Sequence, residues 1–119
     1  MKKKIFPLED LNKIIKKEKS KGKKIALCHG VFDLLHIGHI KHFKEAKQFG
    51  DILVVTLTPD QYVNKGPGRP AFNEKLRLEG IASLDSVDYV ALNSTPTAVN
   101  VIKKIKPNLY CKGPDYKNH

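Results

Sequence analysis

A chain of 119 residues has room for one domain, and its 40% hydrophobic content is that of a chain able to bury a core. Its apolar runs are only a few residues long and no apolar stretch follows the basic start "MKKKIFPLED", so neither a membrane span nor a secretory leader is expected. The net charge of +10 raises the question of nucleic acid, but ten lysines against Glu9, Asp10 and Glu18 place +7 of it in residues 1–24, without the interleaved aromatics of a single-strand platform.

In chain order, Leu8, Leu11 and Ile15 recur at helical spacing with lysines on the other faces, which predicts a basic surface helix over 8–21 that Gly22 ends. "KIALCHG" (24–30) reads as a short buried strand. From Gly38, "GHIKHFKEAKQFG" sets Ile40, Phe43 and Ala46 on one helical face and Lys41, Lys44, Glu45 and Gln48 on the other, with Gly50 as the stop. "DILVVTLT" (51–58) is a second buried strand, and "PDQYVNKGPGRPAF" (59–72) a long Gly- and Pro-rich loop. "NEKLRLEGIASL" (73–84) follows as a helix that Asn73 can cap, then "VDYVALN" (87–93) as a third strand. Thr95 is expected to cap the next helix, with Pro96 in its first turn and Ala98, Ile102 and Ile105 as its stripe; "NLYCKG" (108–113) is the fourth strand. Cys28 and Cys111 fall in strands and read as reduced thiols of a cytoplasmic protein; no C-x-x-C accompanies them, and no metal site is expected. His29 and His42 read as structural.

Alternating strands and helices predict an α/β, Rossmann-like parallel sheet with helices on both faces. Ligands of such sheets bind beyond the C-terminal strand ends, where the strand order switches. Loops 30–38, 59–72, 93–95 and 113–115 should meet there.

The stretch "CHGVFDLLHIGHIKHF" concentrates chemistry at the first of these loops. Gly30 allows a close backbone turn, and "HIGH" sits at the mouth of the following helix, where N–H groups and the helix dipole favour an anion. Gly38 removes a side chain where a phosphate would press on the backbone. His36 and His39 can then converge on one cluster of phosphate oxygens. An isolated histidine pair at such a turn is more often a cap or a satisfied core pair than a phosphate clamp; the ten-residue context favours the clamp.

"GVFDLLHIGH" resembles the signature of the HIGH-motif, cytidylyltransferase-like nucleotidyltransferase superfamily. The wider match, "GVFDLLHIGHIKHFKEAKQFGDILVV" with "GRP" and "KGPDY", is most similar to the nucleotidyl-transfer domain of bifunctional heptose-phosphate kinase/adenylyltransferases; glycerol-3-phosphate cytidylyltransferase is a more distant relative. The resemblance runs from about Lys24 to Tyr116, leaving residues 1–23 as a basic N-terminal helix packed on the domain and 24–119 as the nucleotidyltransferase domain. It implies transfer of CMP or AMP from a nucleoside triphosphate, with Mg2+, to a sugar or polyol phosphate, releasing pyrophosphate. It also implies His36, His39 and Lys65 as catalytic residues, and Gly30, Val31, Phe32, Gly38, Arg69, Lys112, Gly113 and Asp115 as nucleotide-binding. Asp33, Asp60 and Arg77 would stand on the acceptor side, Asp33 either meeting the acceptor or ordering its loop. Solvated charge would explain Lys65 and Arg69 as well, a turn Asp60, and an ion pair with Glu74 Arg77.

Two departures stand out. The serine/threonine-rich segment that contacts the triphosphate in relatives has no counterpart before "KGPDYKNH", so a piece of a longer protein is expected, with a fused sugar kinase as one continuation. Asp85 stands where the glycerol-3-phosphate enzymes carry an arginine. Resemblance also suggests a homodimer, with no nucleic-acid or membrane partner. A nucleotide-binding module without catalysis is the rival reading; a tRNA-linked role, from the "HIGH" tetrapeptide of class I synthetases, is a third, which the short chain does not support.

Overall fold

The computed structural model describes residues 3–63, 68 and 70–111. Its elements are α1 (Leu8–Ser20), β1 (Ile25–Gly30), α2 (Ile37–Gln48), β2 (Ile52–Leu57), α3 (Glu74–Ala82), β3 (Tyr89–Leu92), α4 (Val99–Ile105) and β4 (Leu109–Cys111), with a single 3₁₀ turn at Asp60–Tyr62. The strands form one parallel sheet in the order β3-β2-β1-β4. This is the expected α/β Rossmann-like fold.

Side-chain alternation divides the core between the two sheet faces. Ala26 and Cys28 of β1, with Leu53, Val55 and Leu57 of β2, face Phe43 and Ala46 of α2 and Ile81 of α3. Ile25, Leu27, Ile52 and Val54 face the other way, against Leu11 and Ile15 of α1 and Val101 and Ile105 of α4. All six residues of β2 are buried, as a central strand covered on both faces requires. Asp88 locks one corner: its Oδ2 accepts from the Leu53 N–H at 2.8 Å and pairs with Lys47 Nζ at the end of α2.

Away from the histidine motif, two features differ from the sequence expectation. The N-terminal segment adds a parallel bridge to the sheet edge, Ile5 opposite Val90, through Phe6 N–H to Val90 O and Val90 N–H to Lys4 O. And Thr95 does not cap α4, which starts at Val99 behind Ala98. Asn93, 2% exposed, competes for this turn: its Nδ2 donates to Thr95 O and Thr97 O, while the Thr95 hydroxyl lies 2.7 Å from Asn100 Oδ1. Side-chain bonds of this kind give the backbone an alternative to helix, and residues 94–98 take it. Asn73 does cap α3, accepting from the Leu76 N–H at 2.9 Å.

The strand order switches between β1 and β4. All strands being parallel, the loops after β1, β2 and β3 emerge on one edge, with the switch beside the end of β1.

Candidate active site at the mouth of the first crossover helix

The chain leaves β1 through Phe32, which takes a left-handed φ of 52° and turns its ring back over the strand end. A Cβ on Gly30 would lie 2.9 Å from that ring, so the glycine accommodates Phe32. The ring is only 7% exposed and packs edge-on against Phe43 and His39, at centroid distances of 5.1 and 5.2 Å. The apolar core of α2 thereby fixes one side of His39.

α2 begins one residue earlier than expected, with His36 as its N-cap. The Gly38 N–H donates to His36 Nδ1 at 3.0 Å, and the His36 N–H donates to His39 Nδ1 at 3.2 Å, a reciprocal capping box built from two imidazoles. The rings lie against each other, centroids 3.9 Å apart and planes 32° apart. Since each Nδ1 accepts from a backbone N–H, each neutral ring carries its proton on Nε2. His36 is exposed and His39 half-buried. Gly38 makes the arrangement possible, because a Cβ there would sit 2.8 Å from His36 Cε1. The anion-site expectation is thereby modified: the imidazole of His36 already holds the Gly38 N–H.

Asp33 and Arg77 tie this loop to its neighbours. Asp33 accepts from the Ala71 N–H at 2.7 Å and the Phe72 N–H at 3.0 Å, joining the loop after β1 to the approach to α3. Arg77, 4% exposed, donates to Val31 O and Thr58 O at 2.9 Å each, to Phe72 O at 3.1 Å, and to Asp60 Oδ1 at 2.7 Å. Glu74, the pairing partner weighed from sequence, instead accepts from the Asp60 N–H at 2.9 Å. One guanidinium therefore joins the ends of β1 and β2 to the start of α3. Sequence reasoning gave Arg77 a place facing the site but had no signal for this internal role. Beside it lies an apolar cleft of about 300 Å³ lined by Phe32, Leu35, Phe72 and Leu76. A polar cleft of about 550 Å³ opens at the ends of β2 and β3, with Asp60, Gln61, Asn93 and Ser94 on its walls.

Lys65, Arg69, Lys112, Gly113 and Asp115 lie outside the described residues. Burial perturbs several groups outside the motif, His29 and Cys28 the most. His29, at the end of β1, has Nδ1 2.8 Å from Thr56 Oγ1, and burial holds its pKa down to about 4. The Cys28 thiol, buried opposite Cys111 on β4, is pushed well above the ordinary thiol range by desolvation, then by the neighbouring Cys111. Both cysteines are free, so Cys28 is an inert core thiol.

A family model described as cytidylyltransferase-like matches residues 27–119. The chain is 44% identical over 115 residues to the bifunctional protein HldE of Geobacter metallireducens and 42% identical over 115 residues to that of Aliarcobacter butzleri. Each match takes in 95% of this chain and 24% of the relative, so the chain spans about a quarter of the length of these curated relatives. It is also similar to the lipopolysaccharide core biosynthesis protein from Thermoplasma volcanium, whose crystal structure aligns with a TM-score of 0.64 at 34% identity, over 75% of this chain and 73% of that one. With the family model covering most of the sequence, the parallel sheet in place and the histidine motif at its helix mouth, the chain belongs to the cytidylyltransferase-like family.

Proposed function

We propose that this chain is a nucleotidyl-transfer domain that moves CMP or AMP from a nucleoside triphosphate to the phosphate of a sugar or polyol. An acceptor phosphate oxygen forms a bond to the α-phosphorus. The bond from that phosphorus to the α–β bridging oxygen breaks, and pyrophosphate leaves with the electron pair. The acceptor is already largely dianionic at pH 7, because its second pKa is about 6, so the reaction needs no general base. What it needs is alignment and donors placed where charge builds.

The observation that carries this reading is the histidine capping box. Its two backbone bonds put the ring protons of His36 and His39 on Nε2, at the mouth of α2. Donors held in advance of the reaction stabilise the pentacoordinate transition state without reorganising. Asp33 and Arg77 act as positioning residues, holding the histidine loop against the loop in which resemblance places Lys65 and Arg69. Lys112, Gly113 and Asp115 are assigned to the nucleotide on resemblance alone, and Asp60 to the acceptor side on the same ground.

Mg2+ enters as part of the nucleotide substrate. Among the described residues no group of three or more His, Cys, Asp or Glu could hold a metal ion, and both oxygens of Asp33 already accept backbone N–H groups. The triphosphate itself suits the ion, since Mg2+ is commonly held by substrate phosphates and water. The reading extends to a cytoplasmic parent enzyme with a fused kinase, prompted by the word bifunctional in the relatives' names, and to a homodimer. Among the described residues no helix is long and apolar enough to cross a membrane.

Calorimetric titration with the Mg2+ complexes of CTP, ATP, GTP and UTP tests the site, paired with pyrophosphate release by the parent enzyme. One nucleotide should bind, and His36→Ala should slow release by about 10²–10³-fold. Silence with all four nucleotides would remove the reading. Unchanged turnover in the variant would remove the role of His36. Binding without turnover would make the chain a nucleotide-binding module.

A further inference from the structure

We propose that the groove between α1 and the C-terminal end of α4 is a second anion site, taking a small, multiply charged phosphate. The groove has a volume of about 580 Å³, within the range of small-molecule sites. Its walls carry Lys13, Lys16 and Lys19 from α1 and Lys103, Lys104 and Lys106 from and just after α4. No carboxylate lines it. The ion pairs among the described residues, Lys47 with Asp88 and Arg77 with Asp60, include none of these six lysines. Lys13, Lys16 and Lys19 are spaced three apart, so their charges stack along one strip of helix and repel. A polyanion would relieve that repulsion.

The groove is partly organised in advance. Lys19 Nζ reaches the carbonyls of Ile105 and Lys106 at the end of α4, which ties the two walls together.

The chemistry of the lining selects the ligand class. Lysine ammonium groups are compact charges suited to phosphate oxygens, and no arginine or aromatic ring is present to read a planar group or stack on a base. The apolar members, Ile15 and Ile105, are 1% and 3% exposed, so nothing projects that could enter a lipid surface. The site is separate from the histidine pair: α1 and α4 cover the sheet face opposite α2. Because α4 runs back from the end of β3 to the start of β4, its C-terminus also lies at the opposite sheet edge.

Titration calorimetry with inorganic tripolyphosphate tests the proposal on wild type, on Lys16→Gln/Lys103→Gln/Lys104→Gln, and on His36→Ala/His39→Ala. The wild type should bind in ~0.05 M salt and lose affinity toward ~0.5 M as screening shortens. The lysine variant should lose about tenfold or more at this site, while the histidine variant keeps it; that separates this proposal from the nucleotide reading. Orthophosphate should bind more weakly than tripolyphosphate. An unchanged isotherm in the lysine variant overturns the proposal. So does a wild type that ignores tripolyphosphate but binds single-stranded RNA or phosphatidylglycerol vesicles through the same lysines.

Discussion

Replacing Arg77 by methionine keeps the buried stem and removes the guanidinium. The side chain is 1% exposed and makes four hydrogen bonds, three to carbonyls and one to Asp60. A net hydrogen bond contributes about 1 kcal/mol, and more when a charged group takes part. Asp60, 36% exposed, recovers water when its partner leaves, and so do the carbonyls nearest the rim. The remaining loss is on the order of 3–5 kcal/mol, the range for breaking a buried charged network. Against a total stability of about 5–15 kcal/mol this is severe but survivable in a domain of good stability. Urea unfolding followed by circular dichroism would report it as a lower midpoint at nearly constant slope. Arg77→Lys should fall between the two, since one ammonium cannot span the three carbonyls and the carboxylate together. The reasoning fails if Arg77→Met costs under about 1 kcal/mol while the Michaelis constant for the acceptor rises sharply. That pattern would make Arg77 a direct substrate contact, and the internal bonds incidental.

Gly38→Ala should leave stability within about 1 kcal/mol, since helix propensity gained offsets the cap lost, yet slow pyrophosphate release by ~10²-fold or more as His36 is displaced; thermal unfolding and an activity assay check the two halves. His36→Asn keeps a good N-cap while removing the Nε2 donor, so its unfolding midpoint should match wild type and its turnover should match His36→Ala; wild-type turnover would refute the donor role. His29 gives a pH signature. Its folded pKa, near 4, lies below the usual 6.5, so its contribution to stability is fully present above pH 6.5 and is lost as pH falls toward 4. The loss amounts to about 2–3 kcal/mol across that window, and His29→Gln should flatten that segment of the stability–pH curve.

The fold was legible because its signals were redundant. "ILVV" between turn residues reads as a buried strand, α1, α2 and α4 carried stripes of apolar residues, and α3, whose apolar pattern is broad, was marked by the Asn73 cap. The start of α4 was not legible, because Thr95 and Pro96 carry standard cap chemistry while the deciding group is the Asn93 side chain. The bridge at Ile5 was missed since one residue ahead of Pro7 offers no alternation to detect. At the site, the motif located His36 and His39, but the glycines were read against a ligand. Their nearest neighbours are rings of this chain: Phe32 over Gly30 and His36 over Gly38. Such contacts depend on rotamers and on the left-handed φ of Phe32, which sequence spacing does not encode.

An aspartate or serine would cap α2 at least as well as His36, so capping alone does not account for the residue. Imidazole differs in having a second nitrogen on the far side of the ring. When Nδ1 accepts from a backbone N–H, the ring is oriented and its tautomer chosen in one step, and Nε2–H becomes a donor of fixed direction. His39 repeats the device one turn on, accepting from the His36 N–H, with Phe32 bracing its ring. Two donors thus derive their placement from helix geometry and not from flexible stems. A lysine pair at these positions would bring more charge but would have to be ordered anew for each substrate. The spacing of three follows from the helix start, because a side chain at N3 can reach back to the N-cap N–H, as His39 does to His36, while His36 itself takes the Gly38 N–H at N2.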